Sequence, residues 1–331
     1  MILWEAFAPA FATALIATLK VFAVGAAGFI LTRSNRLTED GLQTIGQLVG
    51  LLTLPCLIFY RFATFDPATM PDWWKYALIG CAITIFGLVL GKLTALRHGG
   101  NDEVTLLIGF QNAGFFVLPM LQALLPESQY IRASLLLFML LIPFNASLWM
   151  ACSWFLLGQR NFTWNLIVTP PAVATVGSLL VFGLLHDWVH QFDHTLTMQV
   201  LFGDARQEGS VGAIQQIGDL TVPLATLTMG GSIAAQVRGR VECKRAAVEV
   251  ALMRLVVVPL LGYGILHAWI GRGDYVVWLL LMLQFASPPA MALPVFARQH
   301  GHAMRIIPAA CLLCYILCLV TVPFFVALVP K

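Results

Sequence analysis

The amino-acid sequence predicts an all-α polytopic membrane protein of ten transmembrane helices. Three observations predict this class. The 331 residues are 59% hydrophobic and 11% charged, whereas soluble proteins carry roughly 25% charged residues. Apolar runs close to the ~20 residues that span a bilayer recur along the whole chain. Two of these runs are interrupted by helix-breaking residues at matched places, over 112–119 and 287–294.

Short loops join the ten predicted spans, apart from one longer stretch over 186–211. The spans cover residues 7–31, 41–62, 73–93, 104–125, 131–157, 164–185, 212–236, 246–270, 275–297 and 305–329. Cytoplasmic loops are enriched in Lys and Arg. Loops after the odd-numbered spans carry ten Lys and Arg residues, against six on the opposite side. We therefore expect a multi-pass protein of the cytoplasmic (inner) membrane with both termini on the non-cytoplasmic side.

The two halves of the chain resemble each other. At a shift of about 175 residues, segment 110–119 aligns with segment 285–294, so that Phe, Leu and Pro coincide and Asn112 matches Ser287. We predict two homologous five-helix halves, over residues 1–160 and 161–331. Because five is odd, the second half enters the membrane inverted. Inverted repeats of this kind are typical of secondary transporters.

Both interruptions combine a polar residue with helix breakers. Asn112 and Ser287 each stand seven positions before a proline. Proline removes a backbone donor and clashes with the preceding turn, and Gly114 adds backbone freedom. Ser287, followed by Pro288 and Pro289, is typical of an N-cap with proline at the first helical position. The pattern predicts that a new helix begins there.

These broken segments are the predicted substrate site. Unwound backbone in a bilayer is tolerated only where it is buried in protein or lines a cavity. Two half-helix N-termini would present free N–H groups and positive dipole ends, which suit a carboxylate. Kinked helices without a binding role are the alternative, which the matched positions disfavour. The predicted substrate-binding residues are Gln111, Asn112, Gly114, Pro119, Ser287, Pro288, Pro289, Thr53 and Lys20.

Charged residues within spans are the other candidates. Lys20 lies near the centre of the first span, and intramembrane charges are costly and often functional. It is interpreted either as a partner of the substrate carboxylate or as a structural or subunit contact. Asp219 is a candidate coupling group. The energy source stays open between a proton, sodium and the membrane potential acting on the anion itself. Arg254 and Glu249 lie near the cytoplasmic end of the eighth span and are expected to reach water by snorkelling.

Several function classes lack support in the sequence. It contains no Walker A loop, no Gly-x-Ser-x-Gly and no His-Glu-x-x-His. The histidines lie mostly in loops and predict no metal site. No basic patch interleaved with aromatic residues indicates nucleic-acid binding. We therefore expect no enzyme activity, no cofactor and no nucleic-acid partner.

Short motifs in five spans, taken together, resemble one known family. They are Leu54-Pro55-Cys56-Leu57-Ile58-Phe59, Asn112-Ala113-Gly114 with Leu118-Pro119, Pro223 with Met229-Gly230, Ser287-Pro288-Pro289-Ala290, and Thr321-Val322-Pro323. On these residues the chain resembles a bacterial member of the auxin efflux carrier family, which is related to the plant PIN-formed auxin exporters. The resemblance covers nearly the whole chain.

The resemblance implies two inverted five-helix repeats whose broken fourth and ninth helices cross at the substrate site. It implies a scaffold of spans 1, 2, 6 and 7, a transport subdomain of the other six, a homodimer and an elevator-type movement. Relatives are linked to dicarboxylates such as malonate and malate, and to auxin-like acids. The tandem Pro288-Pro289, Gln111 and the short loop over 158–163 depart from the family pattern.

From these observations we expect a secondary transporter that moves a small organic anion across the lipid bilayer. A cation/proton antiporter of the same crossed-helix architecture is one alternative, but it would need a deep carboxylate beside the breaks. An intramembrane enzyme acting on lipids would need a nucleophile–base pair or paired acids. A membrane sensor that does not transport would normally carry an attached soluble domain.

Overall fold

A computed structural model describes residues 2–63, 72–158, 168–184, 195–202, 211–237, 245–271 and 273–330. These residues form helices joined by short turns and contain no β-strand; one isolated antiparallel bridge joins Gln111 to Pro289. Seven of the helices are long and apolar enough to cross a membrane. The predicted all-helical membrane class is therefore confirmed. The division into ten spans and two inverted repeats stays a prediction.

The helices are numbered α1 to α13 along the described chain. They are α1 (Ile2–Arg33), α2 (Glu39–Ala63), α3 (Lys75–Leu96), α4 (Asp102–Gly109), α5 (Val117–Leu124), α6 (Glu127–Leu157), α7 (Pro170–Ser178), α8 (Leu196–Phe202), α9 (Ala213–Val237), α10 (Arg245–Trp269), α11 (Tyr275–Ala286), α12 (Ala292–Gln299) and α13 (Ile307–Ala327). The predicted fourth and ninth spans are each two short helices, α4 with α5 and α11 with α12. Helix α7 continues through π-helical turns over Leu179–Leu184.

π-helical turns also interrupt α2 and α10. They cover Val49–Thr53 and Met253–Val257. In both helices a proline follows two residues after the turn, Pro55 and Pro259. Proline cannot donate to the carbonyl four residues earlier, so the hydrogen-bond ladder is disrupted there. Such turns are frequent at functional sites.

Helices α1 and α9 pack backbone against backbone. A Cβ atom added to Gly230 would lie 1.8 Å from the carbonyl oxygen of Gly25, and one on Gly28 would lie 2.0 Å from that of Leu227. Only glycine allows so close an approach, and small residues are the usual contact between helices in a bilayer. On the outer faces of the protein, many large apolar side chains are exposed; Ile30, for example, is 64% exposed. A lipid-facing surface explains this exposure.

The two broken helices lie at the centre of the described core. Every residue of α11 from Val276 to Ala286 is buried, and so is every residue of α4 from Glu103 onward. The carboxylate of Glu103 accepts hydrogen bonds from the backbone N–H groups of Arg305, Ile306 and Ile307 at 2.6–3.2 Å. This carboxylate therefore fixes the start of α13 against the start of α4.

Candidate functional site

The interruptions of the two broken helices meet in the core. The backbone N–H of Asn112 donates to the carbonyl of Pro288 at 2.8 Å, and the N–H of Ala290 donates to the carbonyl of Phe110 at 2.9 Å. Proline has no N–H to donate and interrupts the helical ladder. The unwound backbone of each break therefore pairs with the other break. We call these paired segments, residues 110–116 and 287–291, the crossing.

Each break separates a helix that ends from a helix that begins. After α4 and α11, Phe110 and Ser287 are extended, with ψ values of 113° and 148°. Helices α5 and α12 then begin, and the third residue of each is a proline, Pro119 and Pro294. The first N–H groups of a helix have no partner within the helix. Two positive helix ends therefore lie at the edge of the crossing.

The predicted start of a helix at Ser287 is wrong. Ser287 follows the last residue of α11, and its N–H donates to the carbonyl of Leu283 at 2.9 Å. The next helix begins at Ala292. The residue before a proline is pushed away from the helical conformation. Because Pro288 and Pro289 follow in tandem, two successive positions stay extended and the new helix is delayed.

Two buried glutamines join the breaks through their side chains. Gln111 Nε2 donates to Gln284 Oε1 at 3.1 Å, and Gln284 Nε2 lies 3.4 Å from the carbonyl oxygen of Ala113. The side-chain oxygen Oε1 of Gln111 is buried without a hydrogen-bond partner among the described residues. A buried orphan acceptor is costly. It therefore marks a place where a donor group of a ligand or a water molecule would be favourable.

Asn112 is part of a chain of hydrogen bonds to α13. Its Nδ2 donates to Tyr315 Oη at 2.6 Å, and the Tyr315 hydroxyl donates to the carbonyl of Pro289 at 3.1 Å. Asn112 and Tyr315 are 3% and 1% exposed. Tyr315 therefore connects both breaks, one through a side chain and the other through the backbone.

Arg254 departs most from its predicted position. Snorkelling to water was expected, but the side chain is buried within the protein, at 2% exposure. Its Nε donates to the carbonyl of Ser287 and its Nη2 to the carbonyl of Gln284, each at 2.9 Å. The π-helical turn of α10 contains Arg254. The guanidinium thus lies at the carboxyl end of α11, directly beside the crossing.

The remaining predicted site residues lie in different environments. Gly114 is half-buried, and a Cβ atom there would touch only Leu141 Cδ1 at 3.8 Å. Pro119 is buried in α5. Thr53 is buried in the π-helical turn of α2, with its hydroxyl lacking a partner among the described residues. Space for a ligand atom is therefore available beside Gly114.

Lys20 and Asp219 are both exposed. Lys20 lies on the same face of α1 as Ile16, which is 55% exposed. No hydrogen bond or ion pair within the described chain involves Lys20. Asp219 lies at the irregular turn of α9 before Leu220. The structure does not bring these two charges into contact with the crossing.

Sequence reasoning missed three residues that contact the crossing: Arg254, Gln284 and Tyr315. A signal existed for Arg254, since a cation in an apolar run is a functional candidate, but its place near a span end favoured snorkelling. Gln284 had a weaker signal, as a polar residue one helical turn before Ser287. Tyr315 had none, because tyrosine in an apolar helix is common.

Comparison with known proteins gives matches over nearly the whole chain. A family model described as a membrane transport protein matches residues 13–175 and 153–326. The protein PIN-LIKES 7 of Arabidopsis thaliana is 31% identical over 95 residues, which cover 28% of this chain and 24% of that protein. PIN-LIKES 2 of the same plant is 24% identical over 168 residues, which cover 49% of this chain and 35% of that protein. The matched segments thus cover only about a quarter and a third of these two relatives.

Proposed function

The chain belongs to the auxin efflux carrier family of membrane transport proteins, and we propose that it is a secondary transporter of a small organic anion. Membership makes it a multi-pass membrane transporter. The substrate that we propose is a mono- or dicarboxylate, similar to malonate, malate or an auxin-like acid. The observation that carries the proposal is the crossing itself, in which two broken helices pair through their unwound backbones.

The charge of the crossing favours an anion over a cation. The buried polar side chains in it are Gln111, Asn112 and Ser287, and those that contact it are Gln284, Tyr315 and the guanidinium of Arg254. No Asp or Glu belongs to this set among the described residues. The positive ends of α5 and α12 add to the potential. A cation/proton antiporter would need a carboxylate here, so that alternative ranks lower.

We propose that the carboxylate is bound between the N-termini of α5 and α12. The N–H groups there and the amides of Gln111 and Asn112 would donate hydrogen bonds. An atom of the substrate would fit in the space beside Gly114. Charge-assisted hydrogen bonds to a carboxylate are stronger than neutral ones, which suits a small, polar ligand.

The movement that we propose is of the elevator type, within an architecture of two inverted five-helix repeats and a homodimeric assembly. A sequence match supports the repeats. At the shift of about 175 residues, Gly87 of α3 aligns with Gly262 of α10. Each packs tightly on a broken helix. A Cβ atom added to Gly87 would lie 2.6 Å from the carbonyl oxygen of Gly109, and one added to Gly262 would lie 2.4 Å from Phe285 Cγ. We expect both termini on the non-cytoplasmic side of the cytoplasmic membrane.

Counterflow in proteoliposomes tests the proposed function. Vesicles loaded with malonate, malate or indole-3-acetate should accumulate the same labelled acid from outside, and Asn112→Ala should reduce this uptake. Gln122→Ala is the matched control, because Gln122 is an exposed amide in α5 outside the crossing. Absence of counterflow with every mono- and dicarboxylate tried, in folded protein, would contradict anion transport. Equal uptake by Asn112→Ala and Gln122→Ala would contradict the crossing as the site.

A further inference from the structure

Arg254 is a buried cation that has no acidic partner among the residues the structure describes. Its side chain is 2% exposed. No carboxylate of a described residue forms an ion pair with it; the hydrogen bonds of its guanidinium go to the backbone carbonyls of Gln284 and Ser287. Burying an unpaired charge is strongly unfavourable. A group that the fold retains at such a cost needs a compensating interaction.

The compensation comes from the carboxyl end of α11. The last carbonyls of a helix have no partner within the helix and carry the negative end of its dipole. Gln284 belongs to the last turn of α11, and Ser287 is its C-cap. The guanidinium donates to both carbonyls at 2.9 Å. A positive charge is therefore held against the negative end of a broken helix.

In transporters with broken helices, this is the position where coupling cations bind. Unwound carbonyls and half-helix carboxyl ends coordinate sodium ions or interact with protons there. In this chain a side chain supplies the positive charge. The carbonyl oxygens of Gln284 and Ser287 that a metal ion would need are already engaged by N–H donors.

We propose that Arg254 is a resident cation that takes the place of a coupling metal ion at the carboxyl end of α11, so that the crossing assembles and binds its anion without sodium. The statement that the anion binds without sodium rests on the proposed transport function. The positioning role of Arg254 at the crossing does not. Arg254 is accordingly a positioning residue. It fixes the last turn of α11 and leaves the N-termini of α5 and α12 to the substrate.

The first half of the chain supplies no counterpart of this cation. At the shift of about 175 residues, Arg254 aligns with Ile79 of α3. Helix α3 has no π-helical turn, whereas α10 has one at Met253–Val257. The charge is therefore a specific feature of the second break and not a general requirement of a broken helix.

Thermal unfolding of the purified protein tests the proposal without any substrate. The wild-type midpoint should be the same in sodium chloride and in choline chloride at equal ionic strength. Arg254→Ala should unfold at a lower temperature in choline chloride. Sodium, or millimolar guanidinium chloride, should restore part of the loss, since a ligand that binds only the native state stabilises it by mass action.

Two further variants separate a resident cation from a merely structural arginine. Arg254→Lys retains a charge and should keep the midpoint independent of sodium. Arg254→Met retains much of the length without the charge and should become dependent on sodium or guanidinium. Arg298→Ala, which removes an exposed arginine of α12, is the matched control and should show no cation dependence.

The outcomes distinguish this inference from the proposed function. Sodium-dependent stabilisation of the wild type, or variants that neither cation rescues, would overturn the resident-cation role even if carboxylate counterflow is observed. Rescue of Arg254→Ala and Arg254→Met by sodium or guanidinium would support it even if every carboxylate fails in counterflow. In counterflow, Arg254→Ala should lose about tenfold or more in rate without added cation, since 1.4 kcal/mol corresponds to tenfold.

Discussion

The two broken helices share a backbone arrangement but are held in place by different chemistry. Around the first break, α3 approaches so closely that a Cβ atom on Gly87 or Gly91 would lie 2.6 or 2.4 Å from a carbonyl oxygen of α4. Around the second break, α10 contributes Arg254, whose guanidinium binds two carbonyls of α11. A glycine packs closely on each broken helix, Gly87 on the first and Gly262 on the second, but the second break adds a charge bound to a helix end.

This difference shows that two matched breaks can keep the same unwound backbone while the contacts from the neighbouring helix change. Both breaks need an unwound stretch, because only that stretch frees backbone groups to pair across the crossing. The first stretch contains Gly114, and the second contains Pro288 and Pro289. The neighbouring helix needs only to stabilise the free helix end. Helix α3 does so by close packing at its glycines, and α10 adds a hydrogen-bonded cation where it widens into a π-helical turn.

The largest expected effect is a difference in counterflow rate between alanine variants of the two matched polar residues, Asn112 and Ser287. Asn112 donates to Tyr315 at 2.6 Å, whereas the Ser287 hydroxyl reaches only Gln284 O at 3.3 Å within its own chain segment. Asn112→Ala should lower the counterflow rate about tenfold or more, because a lost buried hydrogen bond costs about 1–3 kcal/mol. Ser287→Ala should cost only about twofold.

Tyr315→Phe refines this first prediction. The ring volume stays, but the hydroxyl that joins Asn112 to the Pro289 carbonyl is removed. Its effect and that of Asn112→Ala should be strongly non-additive, with a coupling of about 1 kcal/mol in a double-mutant cycle. Additive losses in counterflow rate would mean that the hydrogen-bonded chain does not connect the breaks.

An intermediate effect is expected from the glycines. Gly87→Ala should lower the free energy of unfolding by about 1–3 kcal/mol, because overpacking against a backbone carbonyl cannot be relieved by a side-chain rotation. Gly262→Ala meets the ring of Phe285 instead and should cost less, since the ring can move. Gly264→Ala is the control, with no atom within 4 Å of the added Cβ. Thermal unfolding in detergent measures all three, and a larger loss for Gly264→Ala than for Gly87→Ala would contradict the packing account.

The smallest effects concern two ion pairs of α2, one to the start of α6 and one to α12. Arg61 pairs with Glu127, the first residue of α6, at 2.9 Å; the Arg61 side chain is 6% exposed and that of Glu127 is 67% exposed. Glu39 pairs with Arg298 of α12, with both side chains more than 40% exposed. Glu127→Gln should cost about 1 kcal/mol of unfolding free energy, against roughly 0.5 kcal/mol or less for Glu39→Gln.

High salt should weaken the Glu39–Arg298 pair more than the Arg61–Glu127 pair, since exposed charges are screened more strongly. Unfolding midpoints of both Glu→Gln variants at low and high sodium chloride measure this difference. Equal losses with equal salt dependence would show that burial of Arg61 contributes nothing to its ion pair.

Local chemistry made the breaks predictable. Proline disrupts the helical hydrogen-bond ladder, and the prolines at 119, 288, 289 and 294 follow polar residues at matched places, so the interruptions at 112–119 and 287–294 could be read from the sequence. The helices do end at Gly109 and Ala286. The position of the new helix start was missed by several residues. The start of this helix depends on two successive prolines, each of which holds the residue before it in an extended conformation.

Contacts between distant segments were not predictable in the same way. Gln111 and Gln284 are 173 residues apart in the chain, and Asn112 and Tyr315 are 203 residues apart. No local pattern indicates which polar residues of two apolar helices will meet. The same limit applies to Lys20, whose central place in an apolar run left a substrate partner and a structural or subunit contact both open. The structure places it exposed and away from the crossing.

The sequence by itself determined that this is a helical membrane protein with two broken helices, because low charge, long apolar runs and paired prolines act through the solvent and the local backbone. Only the tertiary structure decided that the breaks pair with each other. It also decided that Arg254 faces inward onto the carboxyl end of α11 and not outward to water. The physical reason is that a cation in an apolar helix has two ways to be satisfied, by water or by buried carbonyls, and packing selects between them.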